Sequence, residues 1–314
     1  MIDPVILFFI FGLSAGLLRS ELRLPPAIYD LVSIMLLLTI GMKGGIELAK
    51  QPFLELLPQM LVVIGLGILL PLIAFPLLRY LGRFSRVDAA SIAAHYGSVS
   101  MGTFAVAVAY MSARGIYYEE QMPLFVVMLE IPAILVGIVI AKGFSKQTNW
   151  AQVGHEVLLG KSIILMIGGL LIGWIAGAEQ LASIKPLFFD LFKGILALFL
   201  LEMGLITSKH VGSLKKYGVF LIVFGISMPM LSAVLGAATG CLLGFSVGGT
   251  AMLAILAASA SYIAVPAAMR ISVPEANPTL SLAASLGITF PFNVVIGIPI
   301  YYAMAEYIHA FFGA

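Results

Sequence analysis

LAASASYIAVPAAMR, residues Leu256 to Arg270, is apolar enough to lie in a membrane, yet it carries two serines at spacing two and then Pro266. A proline removes a backbone donor and clashes with the preceding turn, so the stretch predicts a broken helix rather than a continuous one. A related stretch, YGSVSMGTFAVAVAY from Tyr96 to Tyr110, lies 161 positions earlier in the chain. Ser98 and Ser100 then fall on Ser259 and Ser261, and Ala105 falls on Pro266. Two small, hydroxyl-bearing segments at matched positions predict a pair of broken helices around a polar site.

The surrounding composition is that of a membrane domain. Of 314 residues, 61% are hydrophobic and 10% charged, whereas a soluble domain carries roughly 25% charged residues. One cysteine, Cys241, excludes an internal disulfide and a cysteine-based metal cluster. The start, MIDPVILFFIFGLSAGLL, lacks the positive region of a signal peptide and reads as a first spanning segment. The net charge of +2 is spread over loops and gives no sign of a nucleic-acid partner.

Ten apolar runs predict an all-α polytopic fold. They are Val5–Leu18, Ala27–Ile40, Leu56–Leu78, Ala89–Met111, Leu124–Ala141, Ser162–Ala176, Phe188–Leu205, Tyr217–Leu243, Thr250–Met269 and Leu280–Phe311. With the N-terminus outside, twelve Lys and Arg side chains fall in inside loops and five in outside loops. That positive-inside bias predicts a multi-pass membrane protein with both termini outside. The lipid bilayer is its first partner.

The halves resemble one another. MLLLTIGMKGG around Met42 matches ILALFLLEMGL around Met203, again 161 apart, and LEIPAILVGIVIA near Pro132 matches TFPFNVVIGIPI near Pro291. Five spans is an odd number, so the second half enters the membrane inverted. The expected organisation is a first inverted repeat over residues 1–145, a short cytoplasmic linker over 146–160, and a second repeat over 161–314. Inverted repeats with a site at their interface are the architecture of secondary transporters.

Gly97, Ser98, Ser100, Gly102 and Thr103 suit a helix break, because glycine lets the backbone leave helical geometry. A half-helix starting there presents free N–H groups and a positive dipole end to a small anion. The hydroxyls add donors for it, or oxygens for a cation. Ser259, Ser261 and Tyr262 offer the same on the second segment. Close packing of small residues is the competing account. Glu130 sits in LFVVMLEIPAILV, and a carboxylate at membrane depth is normally paired, ion-binding or proton-carrying. Asn293, two residues after Pro291, and Glu202 are further candidates, with His95 as a core hydrogen-bond partner or a proton or substrate contact. Asp190 with Lys193 and Lys43 with Glu47 have the spacing of helix-face ion pairs near the outer surface. Neither a phosphate-binding glycine loop nor a G-x-S-x-G elbow is present, and the four histidines show no ligand spacing. An enzyme is not expected.

GSVSMGT (Gly97–Thr103), MLEIPA (Met128–Ala133) and AASASYIAVPAAMRISVPEANP (Ala257–Pro278) carry a family resemblance. The chain resembles the sodium-dependent bicarbonate transporters of the cyanobacterial SbtA type and their broader bacterial relatives. The likeness implies ten spans in two inverted sets of five, two crossing broken helices that hold substrate and sodium, and a homotrimer in a bacterial cytoplasmic (inner) membrane. By position, Gly97, Ser98, Val99, Ser100 and Thr103 match the family's first crossing segment, and Ser259, Ser261 and Tyr262 the second. Substrate binding is thus expected at these residues, and ion binding or coupling at Ser100, Thr103, Glu130 and Ser261. His95, Asn293 and Glu202 are expected behind them.

The departures are specific. Tyr262 replaces an aspartate expected to help bind sodium, Ala260 and Ala264 replace serines, Val265 replaces a glycine, and Glu130 stands for an aspartate. Losing a carboxylate removes the strongest oxygen ligand for a hard cation. The family's long cytoplasmic insertion is reduced to about twenty residues (KGFSKQTNWAQVGHEVLLGK), which leaves a cytoplasmic regulator without its contact. No cofactor is expected beyond Na+ as coupling ion. Three functions stay open: sodium-coupled import of bicarbonate or a similar small anion, a proton-coupled small-carboxylate carrier, and a non-transporting membrane sensor or scaffold.

Overall fold

Every regular element among the described residues of the computed structural model, 4–50, 53–143 and 150–312, is helical. In a bilayer the backbone must satisfy its own polar groups, and a helix does so within one segment. The helices are α1 Pro4–Leu17, α2 Pro26–Leu48, α3 Phe53–Pro76, α4 Arg86–Gly97, α5 Met101–Arg114 and α6 Met122–Lys142. They continue as α7 Trp150–Leu158, α8 Lys161–Gln180, α9 Phe192–Leu242, α10 Val247–Ala257, α11 Ala264–Ser272 and α12 Pro278–Phe311. Wide turns at Ser285–Thr289 and Asn293–Gly297 interrupt α12 just ahead of Pro291 and Pro299, which have no N–H for the regular ladder.

Among the described residues, seven helical stretches are long and apolar enough to cross a membrane, and α1 and α10 are shorter apolar helices. The chain is an all-helical, multi-pass membrane protein. Two expected segments differ. Phe188–Leu205 and Tyr217–Leu243 are joined through α9, with Gly218 alone leaving helical geometry at φ 82°, a value that glycine adopts without steric cost. Ala89–Met111 and Thr250–Met269, the two expected to be broken, are divided between α4 and α5 and between α10 and α11. The expected linker contains helix α7, while its residues 146–149 lie outside the described residues.

Glycines bring two helix pairs into backbone contact. Along α1 and α9, a Cβ on Gly12 would overlap the Leu201 carbonyl oxygen, and one on Gly204 the Phe9 carbonyl oxygen. Along α8 and α2, a Cβ on Gly173 would overlap the Met42 carbonyl oxygen, and one on Gly45 that of Leu170. The two contact sets correspond. Phe9 and Gly12 precede Leu170 and Gly173 by 161 positions, and Met42 and Gly45 precede Leu201 and Gly204 by 159. Such close approach supplies the van der Waals packing that holds helices together where lipid is as apolar as the side chains.

Two turns are also built alike. Arg83 and Gly244, 161 apart, both take left-handed backbone angles, with φ of 56° and 72°. Two residues on, Ser85 accepts from Asp88 N at 3.0 Å and Ser246 from Gly249 N at 3.1 Å, each capping the next helix. The stretch Arg86–Arg114 is enclosed by protein along its most apolar window. Only such enclosure lets backbone at membrane depth be non-helical.

Candidate functional site

Helix α4 stops at Gly97, whose missing side chain leaves room for Pro71 and for Ala133 of α6. Ser98 is extended (φ −95°, ψ 179°), and Ser100 (φ −102°, ψ 113°) caps α5. Its Oγ accepts from Thr103 N at 3.1 Å and from Thr103 Oγ1 at 2.9 Å. The next N–H groups, on Met101 and Gly102, belong to the first turn and have no carbonyl of their own helix to meet.

The second break runs from Ser259 to Ile263, between α10 and α11. It precedes Pro266 rather than falling at it. Pro266 is the third residue of α11, where a missing N–H removes no helical hydrogen bond. Ser259 Oγ donates to Leu256 O at 2.8 Å and accepts from Ser100 N at 2.8 Å. Ser261 N donates to His95 O at 2.9 Å, and Ser261 Oγ lies 3.4 Å from Val265 N. Asn293 Nδ2 donates to Ala258 O at 2.9 Å, while its Oδ1 accepts from Tyr301 at 2.7 Å. Each break therefore supplies partners for the other, and α12 supplies the rest.

Against this arrangement, a profile of the Na+-dependent bicarbonate transporter superfamily matches residues 4–306. The chain belongs to the Na+-dependent bicarbonate transporter superfamily. No curated protein aligns significantly with it. Membership in this transporter superfamily makes the chain a polytopic membrane transporter and not an enzyme.

Within this superfamily member, Gly97, Ser98, Val99, Ser100, Thr103, Ser259, Ser261 and His95 lie buried around the two breaks. Ser98 Oγ and His95 Nε2 have no hydrogen-bond partner among the described residues. The Tyr262 ring meets Phe290 edge-on at 5.4 Å, and its hydroxyl end lies against Gly102, where a Cβ would overlap it. Glu130 is 1% exposed, and its Oε2 has no partner among the described residues. It lies one helical turn before Ala133, the α6 residue that packs on Gly97. An apolar recess of about 280 Å³, lined by Ser33, Met101, Gly102, Phe199 and Ile263 among others, touches the start of α5.

Glu202 belongs elsewhere. It lines a cleft of about 1150 Å³ with Gly16, Arg23 and Lys209, where α9 faces α1 and the turn after it. The Lys43–Glu47 pair is not formed: Glu47 bonds Lys50 at 2.6 Å, and Lys43 Nζ lies over the Phe192 ring, 4.8 Å from its centre. No Asp190–Lys193 ion pair is present among the described residues. Sequence reasoning missed Tyr301 and Thr289. Thr289 Oγ1 lies 2.7 Å from the Tyr96 hydroxyl and donates to Gly225 O at 2.7 Å. The available signal was that a tyrosine hydroxyl in an apolar run needs a polar partner.

Proposed function

We propose that this chain is a secondary active transporter that imports bicarbonate or a similarly small anion with sodium by alternating access. The observation that carries the proposal is the 2.8 Å hydrogen bond from Ser100 N to Ser259 Oγ, which joins two interrupted helices from opposite halves of the chain. The proposed architecture is ten spans, with residues 1–145 and 161–314 as inverted repeats joined by a cytoplasmic linker. In its support, α1 meets α9 as α8 meets α2. Reciprocal contact of that kind is what a two-fold relation produces. The close glycine contacts run between the halves, where rocking of one unit against the other would occur.

The anion is assigned to the start of α5, where the N–H groups of Met101 and Gly102 and the helix dipole favour negative charge. Ser98, Ser100, Thr103, Ser259 and Ser261 surround it. Sodium is assigned to oxygens of the same cluster, because Ser98 Oγ and Glu130 Oε2 are buried without partners among the described residues and hard cations take oxygen ligands. Tyr262, which stands for the family's aspartate, narrows the space beside Gly102. Assembly as a homotrimer in a bacterial cytoplasmic membrane, termini outside, completes the proposal.

Labelled bicarbonate uptake into proteoliposomes tests it. An inward sodium gradient should drive accumulation, and Ser100→Ala with Ser261→Ala should abolish most of it. Failure of sodium and proton gradients alike, with no stabilisation of the purified protein by bicarbonate, would remove the assignment. Glu130 favours one second reading, a proton-coupled small-carboxylate carrier, because a buried carboxyl without a partner can carry a proton. Uptake driven by a proton gradient and lost in Glu130→Gln would select it.

A further inference from the structure

Beside the broken segments, a cleft of about 450 Å³ is walled by Ser91 and His95 of α4, by Pro266, Met269 and Arg270 of α11, and by the turn at 273–278. Its end of the bundle is basic. The turn is held there by Asn277 N donating to Asp88 Oδ1 at 2.8 Å and by Lys142 near Glu275 at 3.7 Å. Arg86 Nε, at the start of α4, bonds Ile140 O at 2.7 Å, near the end of α6. Arg79 reaches the same connection through Phe84 O at 2.7 Å. By the positive-inside rule this end faces the cytoplasm.

His95 is 1% exposed, and its Nδ1 lies 2.7 Å from Ser91 O. A carbonyl oxygen only accepts, so Nδ1 carries the ring proton, and Nε2 of the neutral ring is an acceptor. Among the described residues no group donates to it. Arg270 is exposed and makes no ion pair among the described residues. Among the described residues, the cleft therefore combines a buried acceptor that meets no hydrogen with a guanidinium that meets no carboxylate.

We infer that this cleft is a second, cytoplasmic-side site for a singly protonated oxyanion. Bicarbonate fits both halves of the requirement: its O–H donates to His95 Nε2, and its charged oxygens accept from Arg270. Nitrate and chloride carry charge but no hydrogen, so they leave the buried acceptor unmet, and a polar site discriminates strongly against a ligand that does so. The inference rests on the small-anion reading, since the cleft then holds the anion as it leaves the central breaks.

Full-length protein labelled with ¹⁵N at histidine, in liposomes at fixed pH and sodium, reports on the site by solid-state NMR. The Nε2 resonance that His95→Gln removes should move with sodium bicarbonate and stay still with sodium nitrate. Arg270→Gln should raise the half-saturating bicarbonate concentration about tenfold, the loss of a hydrogen bond to a charged group. Ser100→Ala with Ser261→Ala should leave the His95 shift in place. An unmoved resonance, an equal shift with nitrate, no effect of Arg270→Gln, or loss of the shift in the double variant overturns the inference. A persistent shift in a protein that accumulates no bicarbonate supports the cleft while removing the transport reading. Normal uptake with an unmoved His95 does the reverse.

Discussion

The backbone N–H of Ser100 donates to the side-chain oxygen of Ser259 across 2.8 Å, between residues 159 positions apart. Both are buried. Neither interrupted helix could stay broken at membrane depth alone, because an unmet backbone donor there costs free energy comparable to a lost hydrogen bond.

Ser259→Ala deletes that acceptor and strands Ser100 N. The expected loss is about 1–3 kcal/mol of stability, the penalty for an unsatisfied buried donor. Ser259→Thr keeps the hydroxyl and should recover most of it. Thermal unfolding in detergent checks the pair, and an alanine variant that melts with the wild type removes this bond from the account.

Asn293 holds the other side of the second break through Ala258 O and Tyr301. Asn293→Leu should cost about 1–3 kcal/mol, and Tyr301→Phe, which gives up one bond, about 1 kcal/mol. Asn293→Asp should be the worst, because it points an acceptor at a carbonyl and brings charge into the bundle. The denaturant midpoint should be lowest for Asn293→Asp, higher for Asn293→Leu and highest for Tyr301→Phe. Any other ranking means that the Asn293 amide is not what satisfies Ala258.

The matched glycines can be tested as a set. Gly45→Ala and Gly204→Ala each force a methyl group onto a carbonyl oxygen of the facing helix and should destabilise by about 1–3 kcal/mol. Gly65 has open space around its Cβ position, so Gly65→Ala should be neutral or stabilise by up to about 1 kcal/mol. Melting temperatures that fail to separate Gly65 from the other two would refute the close backbone contact.

Glu120, in the connection between α5 and α6, is raised above its ordinary 4.5 by burial and then by the Glu47 charge, while Lys50 and Lys43 oppose the shift. Above pH 4.5 the folded protein retains a proton on Glu120 that the unfolded chain has released. Its contribution to stability is therefore fullest below that pH and is lost as pH rises through the raised native value. Glu120→Gln should flatten this part of the pH–stability curve. An unchanged slope between acid and neutral pH counts against it.

What the sequence by itself determined was the membrane class and the two hydroxyl-bearing interruptions 161 positions apart. These are local properties, set by run length, hydropathy and residue type. Only the tertiary structure decided the pairing. In the alignment Ser98 matches Ser259, but it is Ser100 that bonds Ser259, and Ser261 takes the His95 carbonyl rather than its ring. It also decided that the second break precedes Pro266, that Asn293 caps Ala258, and that Glu202 faces a separate cleft. The physical reason is distance along the chain. A bond spanning 159 positions depends on the rotation and spacing of whole helices. Those follow from packing across the whole bundle, including glycine-to-carbonyl contacts whose glycines in the sequence look like any others among the 32.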